Sequence, residues 1–312
     1  MSIAPENPYH AITLKLAAVF LFVVMATLIK YASAEVPPGQ AVFFRSFFAL
    51  PVIVLWLMLQ GNVVTGLKTT NPLGHLWRGL LGSTAMGLSF AGLAILPLSE
   101  VKAIQYAVPL FVVILAAIFL GEKIRKVRST AVGLGMVGVL IILWPRLTAF
   151  TDGSADSRLA TGALIVLTGS LCAAMAQVFV RRLVEKETTS SIVFWFSVTA
   201  SLLALGTAPF GWQTPSVAVV IALISAGIIG GIGQIFLTSA YRYADASIVA
   251  PFDYASILFA IAIGYFTFGE VPTLTMLGGA ALVISAGVLI ILRERQLKIQ
   301  RGKGRKHVTK FG

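Results

Sequence analysis

The chain has 312 residues, 57% of them hydrophobic and only 12% charged, with a mean hydropathy of +0.91. Soluble domains carry about 25% charged residues, so a water-exposed globular surface is excluded and an all-α polytopic membrane protein is expected. The net charge of +12 does not point to nucleic acid, because eight of the 24 Lys and Arg lie between Arg293 and Lys310 and most others sit in short loops between apolar runs.

Apolar runs of about 20 residues, each able to cross a ~30 Å hydrocarbon core, predict ten helices. In chain order they are residues 11–31, 39–60, 74–96, 99–120, 127–145, 158–181, 190–210, 215–241, 247–268 and 273–292. None shows the alternation of a barrel strand, and in lipid a continuous helix satisfies its own backbone. Ala32-Ser33-Ala34 after the first run looks like a leader cleavage site. Lys30 interrupts that run, and the repeat described below needs it as a retained span. The longest loop, Pro145 to Ser157, falls between the fifth and sixth runs and is the best boundary in the chain.

Placing the N-terminus in the cytoplasm puts 19 basic residues inside, among them Lys15, Lys68, Arg78, the Lys123–Arg128 cluster and the tail. Only Lys30, Lys102, Arg146 and Arg158 fall outside, while Arg45 lies within a span. This asymmetry predicts cytoplasmic termini. The basic tail could also touch anionic headgroups of the lipid bilayer.

An offset of 148 residues aligns Gly79-Leu-Leu-Gly82 with Gly227-Ile-Ile-Gly230, Gln105-Tyr106-Ala107 with Asp253-Tyr254-Ala255, and Gly121-Glu122 with Gly269-Glu270. The chain therefore reads as a five-helix repeat over residues 1–149, a second over 157–292, and a basic cytoplasmic tail over 293–312. Five helices is an odd number, so the second copy is inverted, a common build for secondary transporters. Each Gly-Glu reads as a helix end followed by an acid near the next helix start.

Cys172 is the only cysteine, and His10, His75 and His307 are scattered, so no metal site or cofactor is expected. Gly133-Leu-Gly135-Met-Val-Gly138 satisfies a dinucleotide-binding string but lies inside a span without a preceding strand, and reads as helix packing. The four-residue spacing of Gly79, Ser83, Gly87 and Ala91 does too, with Gly227, Gly231 and Ser239 in the eighth run. No phosphate-binding G-x-x-x-x-G-K-[ST] loop occurs. Energy would then come from a solute or ion gradient.

Polar groups inside spans are the site candidates, because ionisable residues there cost at least about 2.5–3.5 kcal/mol at the bilayer centre. Arg45 and Asp253 lie roughly 9 Å from opposite faces, too far apart in depth for a direct pair. Arg45 either snorkels to the outer interface or faces substrate; Asp253 is expected in a cavity, with proton coupling as a hypothesis. Pro109 and Pro251 deprive the carbonyls of Gln105 and Ser247 of their helical donors. These matched interruptions mark Gln105, Tyr106 and Tyr254 as site residues, with a simple kink as the competing reading. Gln177 and Gln234 are mid-span amides expected to face protein or water. Phe43, Phe44, Trp195 and Phe196 could pack or stack on a planar solute, and Trp195 is taken as the site candidate among them.

Ten spans in two inverted halves, with "FLGEKIRK" closing the fourth and "TFGEVPTL" its counterpart, resemble the EamA-type transporters of the drug/metabolite transporter superfamily. The resemblance covers residues 11 to 292. It implies a bacterial inner-membrane secondary transporter, not an enzyme, working by alternating access on a small-molecule substrate. Family members carry amino acids, nucleotide-like metabolites, vitamins and drugs, some inward and some outward. Aromatic rings, amides and one acid suit a planar solute, so riboflavin-like vitamin uptake is the leading expectation. Export of amino acids or drug-like metabolites is the alternative, and an integral-membrane enzyme the rival from another class. Oligomeric state is left open.

Overall fold

The computed structural model describes residues 8–61, 63–120, 126–147, 157–183, 187–243, 250–289 and 292. The tail over 293–312 and the Gly121-Glu122 turn lie outside the described residues.

Among the described residues, helices follow each of the ten expected runs. The first is α1 (Pro8–Ala32), and the second is divided into α2 (Pro38–Phe47) and α3 (Ala49–Leu59). A short α4 (Val63–Leu67) leads to the third, α5 (Pro72–Leu93). The fourth is divided into α6 (Leu98–Gln105) and α7 (Ala107–Leu120); α8 (Lys126–Leu147) is the fifth. In the second repeat α9 (Ser157–Leu183), α10 (Thr189–Leu205) and α11 (Val217–Tyr243) are unbroken. The ninth crossing starts as a 3-10 turn, Ala250–Tyr254, and continues as α12 (Ala255–Phe268); α13 (Leu274–Leu289) is the tenth. Five of these segments are long and apolar enough to cross a membrane by themselves, and Thr130–Pro145, Ser190–Leu205, Phe252–Phe268 and Leu274–Leu289 are shorter apolar helices. The face holding the start of α1 is called the N face below, and the opposite one the far face.

Local chemistry sets the ends. Pro38 and Pro72 occupy first-turn positions, where a missing N–H costs nothing. Asn71 Oδ1 accepts from Gly74 N–H at 2.9 Å to cap α5, and Thr188 caps α10 through Ser191 N–H. Gly269 closes α12 in the left-handed conformation (φ 66°), with its N–H on the carbonyls of Gly264 and Tyr265, as the Gly-Glu reading expects.

The two repeats interdigitate. α1 runs along α11, and its counterpart in the other copy, α9, runs along α5. α2 packs on both α10 and α11, α10 packs on α5, α7 on α9 and α12 on α1, so each cross-repeat contact has its mirror. The small residues mark the close approaches. A methyl at Gly227 would meet Phe48 Cβ at 2.6 Å and the Phe44 carbonyl at 2.9 Å; one at Gly79 would meet Thr199 at 2.5 Å. The rejected dinucleotide string packs helices: Gly135 faces Leu110 and Ala286, and Gly138 lies backbone to backbone against Gly279.

A Cβ at Gly138 would sit 2.8 Å from the Gly279 carbonyl, and backbone cannot rotate away, whereas Gly133 faces open space. Gly138→Ala should therefore destabilise by about 1–3 kcal/mol and lower the thermal unfolding temperature of the detergent-purified protein. Gly133→Ala should leave that temperature unchanged or raise it.

Candidate functional site

Among the described residues three crossings carry breaks, and each has a proline within a few residues. Pro51 lacks the N–H that Phe47 would need and separates α2 from α3 at Phe48; Pro109 stands in the same relation to Gln105, where α6 ends. Pro251 opens the 3-10 turn of the ninth crossing. The breaks in crossings four and nine fall at equivalent positions, Tyr106 and Tyr254; Pro109 predicts the first, while Ser247, whose carbonyl Pro251 is expected to free, lies outside the described residues.

These two breaks meet. The rings of Tyr106 and Tyr254, 148 residues apart, pack edge to face with centroids 5.0 Å apart. The Tyr106 hydroxyl donates to the Tyr254 carbonyl (3.0 Å), accepts from Ile257 N–H (3.0 Å) and pairs with Ser256 Oγ (2.7 Å). One phenol thus satisfies the backbone that the break in the other crossing sets free.

Beside this contact lies a cavity of about 170 Å³ lined by Val19, Phe22, Val23, Lys102, Gln105, Tyr106, Asp253 and Ser256. Gln105 donates to Ser89 Oγ (3.1 Å) and accepts from the Lys102 ammonium (3.3 Å). Asp253 is half-exposed and pairs with Lys15 Nζ at 2.7 Å, while Lys15 is buried. Lys15 and Lys102, read from the sequence as orienting charges, belong instead to this interior.

A second pair joins the far-face ends of the same two crossings. Lys30 Nζ lies 3.1 Å from Glu270 Oε1 and donates to the carbonyls of Leu93 (3.1 Å) and Leu96 (2.5 Å). Glu270 Oε2 accepts from Leu98 N–H at 2.7 Å, at the first residue of α6. Glu270 therefore favours a helix N-terminus as expected, but that of crossing four rather than its own successor. Two further clasps tie the repeats on this face: Gln40 exchanges two hydrogen bonds with the Gln213 backbone, and Glu35 accepts from Ser216 N–H (2.7 Å) and its hydroxyl (2.9 Å).

Arg45 does not snorkel. It is 7% exposed and its guanidinium lies 6.0 Å from the centroid of Phe196. Arg78, counted from the sequence as a cytoplasmic charge, lies 3.5 Å from the same ring. Both guanidiniums share one ring, so two like charges repel across it and the pair is held against its own electrostatics.

The other predicted residues are placed apart. Trp195 donates its indole N–H to the Leu67 carbonyl (2.9 Å) and packs towards His75, so its neighbour Phe196 takes the inward position. Gln234 is half-buried on α11; Gln177 is exposed on α9, outside the cavity lining. At the N-face end Glu187 Oε1 gathers the N–H groups of Thr70 (2.6 Å) and Asn71 (3.0 Å) and the hydroxyls of Thr69 and Thr70. Burial alone would raise the Glu187 carboxyl, but these hydrogen bonds outweigh it and hold it down at about 2.

A membrane protein of two interlocked five-helix repeats around a polar interior is the class this architecture defines. The sequence profile of the EamA-like transporter family matches residues 10–144 and 160–293, and the chain belongs to that family. It is 32% identical over 285 residues to the "Pseudopaline exporter CntI" of Pseudomonas aeruginosa, covering 90% of this chain and 93% of that one. It is 28% identical to the "S-adenosylmethionine uptake transporter" of Rickettsia conorii (86% and 87% covered). Identity to the "Riboflavin transporter" of Rhizobium johnstonii is 29% (83% and 82% covered). A solved crystal structure at 19% identity shares the fold with a TM-score of 0.64, over 93% of this chain and 99% of the other.

Tyr106→Phe removes the acceptor for the buried Ile257 N–H, and should cost about 1–3 kcal/mol in thermal unfolding. Glu187 is held below its usual value, so its contribution to stability is full above about pH 4.5 and is lost as pH falls towards about 2. Glu187→Gln should be less stable at neutral pH and should lose less stability across that acid window, as read from unfolding temperature against pH.

Proposed function

We propose that the chain is an alternating-access secondary transporter of a small organic metabolite, in a bacterial cytoplasmic membrane with both termini inside. The observation that carries this reading is the meeting of two matched helix breaks, one from each inverted repeat, beside a polar cavity. Breaks of this kind are tolerated in lipid where they line a cavity or are re-satisfied by protein, and a solute site between repeats uses both conditions. With Lys15, Arg78 and Lys102 set aside as interior, the bias of 17 basic residues against three supports the N face as cytoplasmic.

On this orientation the Lys30–Glu270, Gln40–Gln213 and Glu35–Ser216 clasps close the outer face, and they are the contacts that must part for the cavity to open outwards. Asp253, half-exposed beside Lys102 and Tyr106, is the residue through which a proton would act: neutralising it releases Lys15, and with it α1, from the ninth crossing. A planar, vitamin-like solute such as riboflavin keeps the support of one relative and of the inward ring of Phe196. Export of amino acids or drug-like metabolites keeps the support of another.

The test is counterflow in proteoliposomes with radiolabelled riboflavin and S-adenosylmethionine as probes. The expected result is saturable entry of at least one, accelerated by unlabelled solute inside, with pH dependence that Asp253→Asn abolishes while cutting flux about tenfold, the effect of roughly 1.4 kcal/mol. Chemical turnover of either probe without flux would contradict transport, and pH-dependent uptake retained by Asp253→Asn would contradict the coupling role.

A further inference from the structure

The described acids near the polar interior have partners within the protein: Asp253 with Lys15, Glu270 with Lys30, and Glu187 with the 69–71 turn. Arg45 and Arg78 are the exception. Arg45 Nε, Arg78 Nε and Arg78 Nη1 are buried with no hydrogen-bond partner among the described residues. Neither guanidinium forms an ion pair with a described acid. Both lie over one ring, so they can be no farther apart than their two distances to its centroid allow.

The repeat makes room for them. A methyl at Gly230 would come within 3.4 Å of Arg45 Nε, and one at Gly82 within 3.3 Å of Arg78 Nη1 and 2.8 Å of Phe196. These glycines are equivalent, 148 residues apart. Arg45 enters from the inner end of α2, the far-face half of the second crossing, and Arg78 from the N-face half of α5, so the two side chains converge towards mid-depth. The Phe196 face offsets part of their charge but offers no acceptor atoms. A guanidinium presents five N–H donors in a fixed fork and stays protonated, so burial without acceptors is costly.

We propose that Arg45, Arg78 and Phe196 form an oxyanion subsite, which takes the carboxylate or phosphate end of an aromatic or otherwise planar solute. The oxyanion supplies the missing acceptors and relieves the repulsion, and Phe196 packs against the adjoining plane. This rests on reading the chain as a solute carrier, and assigns that carrier an acidic substrate class.

The test uses the detergent-purified full chain and follows thermal unfolding with benzoate, phenyl phosphate and the uncharged benzamide at equal ionic strength. Benzoate or phenyl phosphate should raise the unfolding temperature and benzamide should not; the stronger of the two anions distinguishes carboxylate from phosphate. Arg45→Gln and Arg78→Gln should each weaken the apparent anion affinity at least about tenfold. Each should also raise the unfolding temperature of the ligand-free protein, because removing one of two repelling charges relieves it; a purely structural arginine would do the reverse. Should either Gln variant not fold, Arg78→Lys keeps the charge and should retain a smaller anion-dependent rise.

Equal stabilisation by benzamide, no rise with either anion, or a rise unchanged in both Gln variants would overturn the subsite. Anion binding without flux in proteoliposomes counts against the carrier reading and leaves the subsite standing. Flux without anion preference does the opposite.

Discussion

Breaking a helix inside a bilayer frees N–H and C=O groups that lipid cannot satisfy, and the centre of this protein is organised around that cost. Crossings four and nine are both broken, the first ahead of Pro109 and the second after a 3-10 turn that contains Pro251, and Tyr106 is the residue that makes the second break tolerable. Its hydroxyl takes the Ile257 N–H, gives its own proton to the Tyr254 carbonyl and lies against Ser256. The bond links residues exactly one repeat apart, so it joins the two inverted halves at their symmetry axis. The remaining interior is arranged around this contact: the cavity lies on one side of it, and α1 spans it with an ion pair towards each face.

The charges then divide into two groups with different tasks. Lys15–Asp253 and Lys30–Glu270 each join the first crossing to the ninth, one towards the N face and one at the far face. A carrier that opens alternately to its two sides has to remake contacts of this kind, and largely buried pairs separate only where water or new partners replace what each charge loses. Arg45 and Arg78 are of one sign, with buried guanidinium nitrogens, and are held over a shared ring. Neither pairs with a described acid across the repeats, which is why they are read as facing solute.

Much of the architecture was legible from residues alone. Hydropathy marks the ten crossings, and the 148-residue offset pairs Tyr106 with Tyr254 and Gly82 with Gly230, positions the structure brings to the dyad and to the two arginines. Pro109 foretells the break in crossing four, and the offset carries it to Tyr254 in crossing nine; the break at Phe48, set by Pro51, has no partner in the second repeat and so escapes an argument from symmetry. The candidate site was read less completely, for a physical reason. Lys15, Arg78 and Lys102 stand within a turn or two of span ends, where a basic residue in sequence is indistinguishable from an orienting charge, and only packing shows them turned inwards. Gln177 and Trp195 fail in the opposite sense. Depth is readable from sequence position, but the direction a helix face points is not, because neither α9 nor α10 has a strongly one-sided apolar pattern.

The central claim is that the cavity at the crossing of the two broken helices is open to one side while the far-face clasps hold, and the most direct measurement is sidedness of thiol labelling. In a Cys172→Ala background, Asp253→Cys would be treated with a membrane-impermeant thiol reagent in right-side-out and inverted vesicles. The account predicts labelling from the N face alone, with far-face labelling appearing once Glu270→Gln releases Lys30. Equal labelling from both faces in the clasped protein, or far-face labelling unmoved by Glu270→Gln, would contradict it.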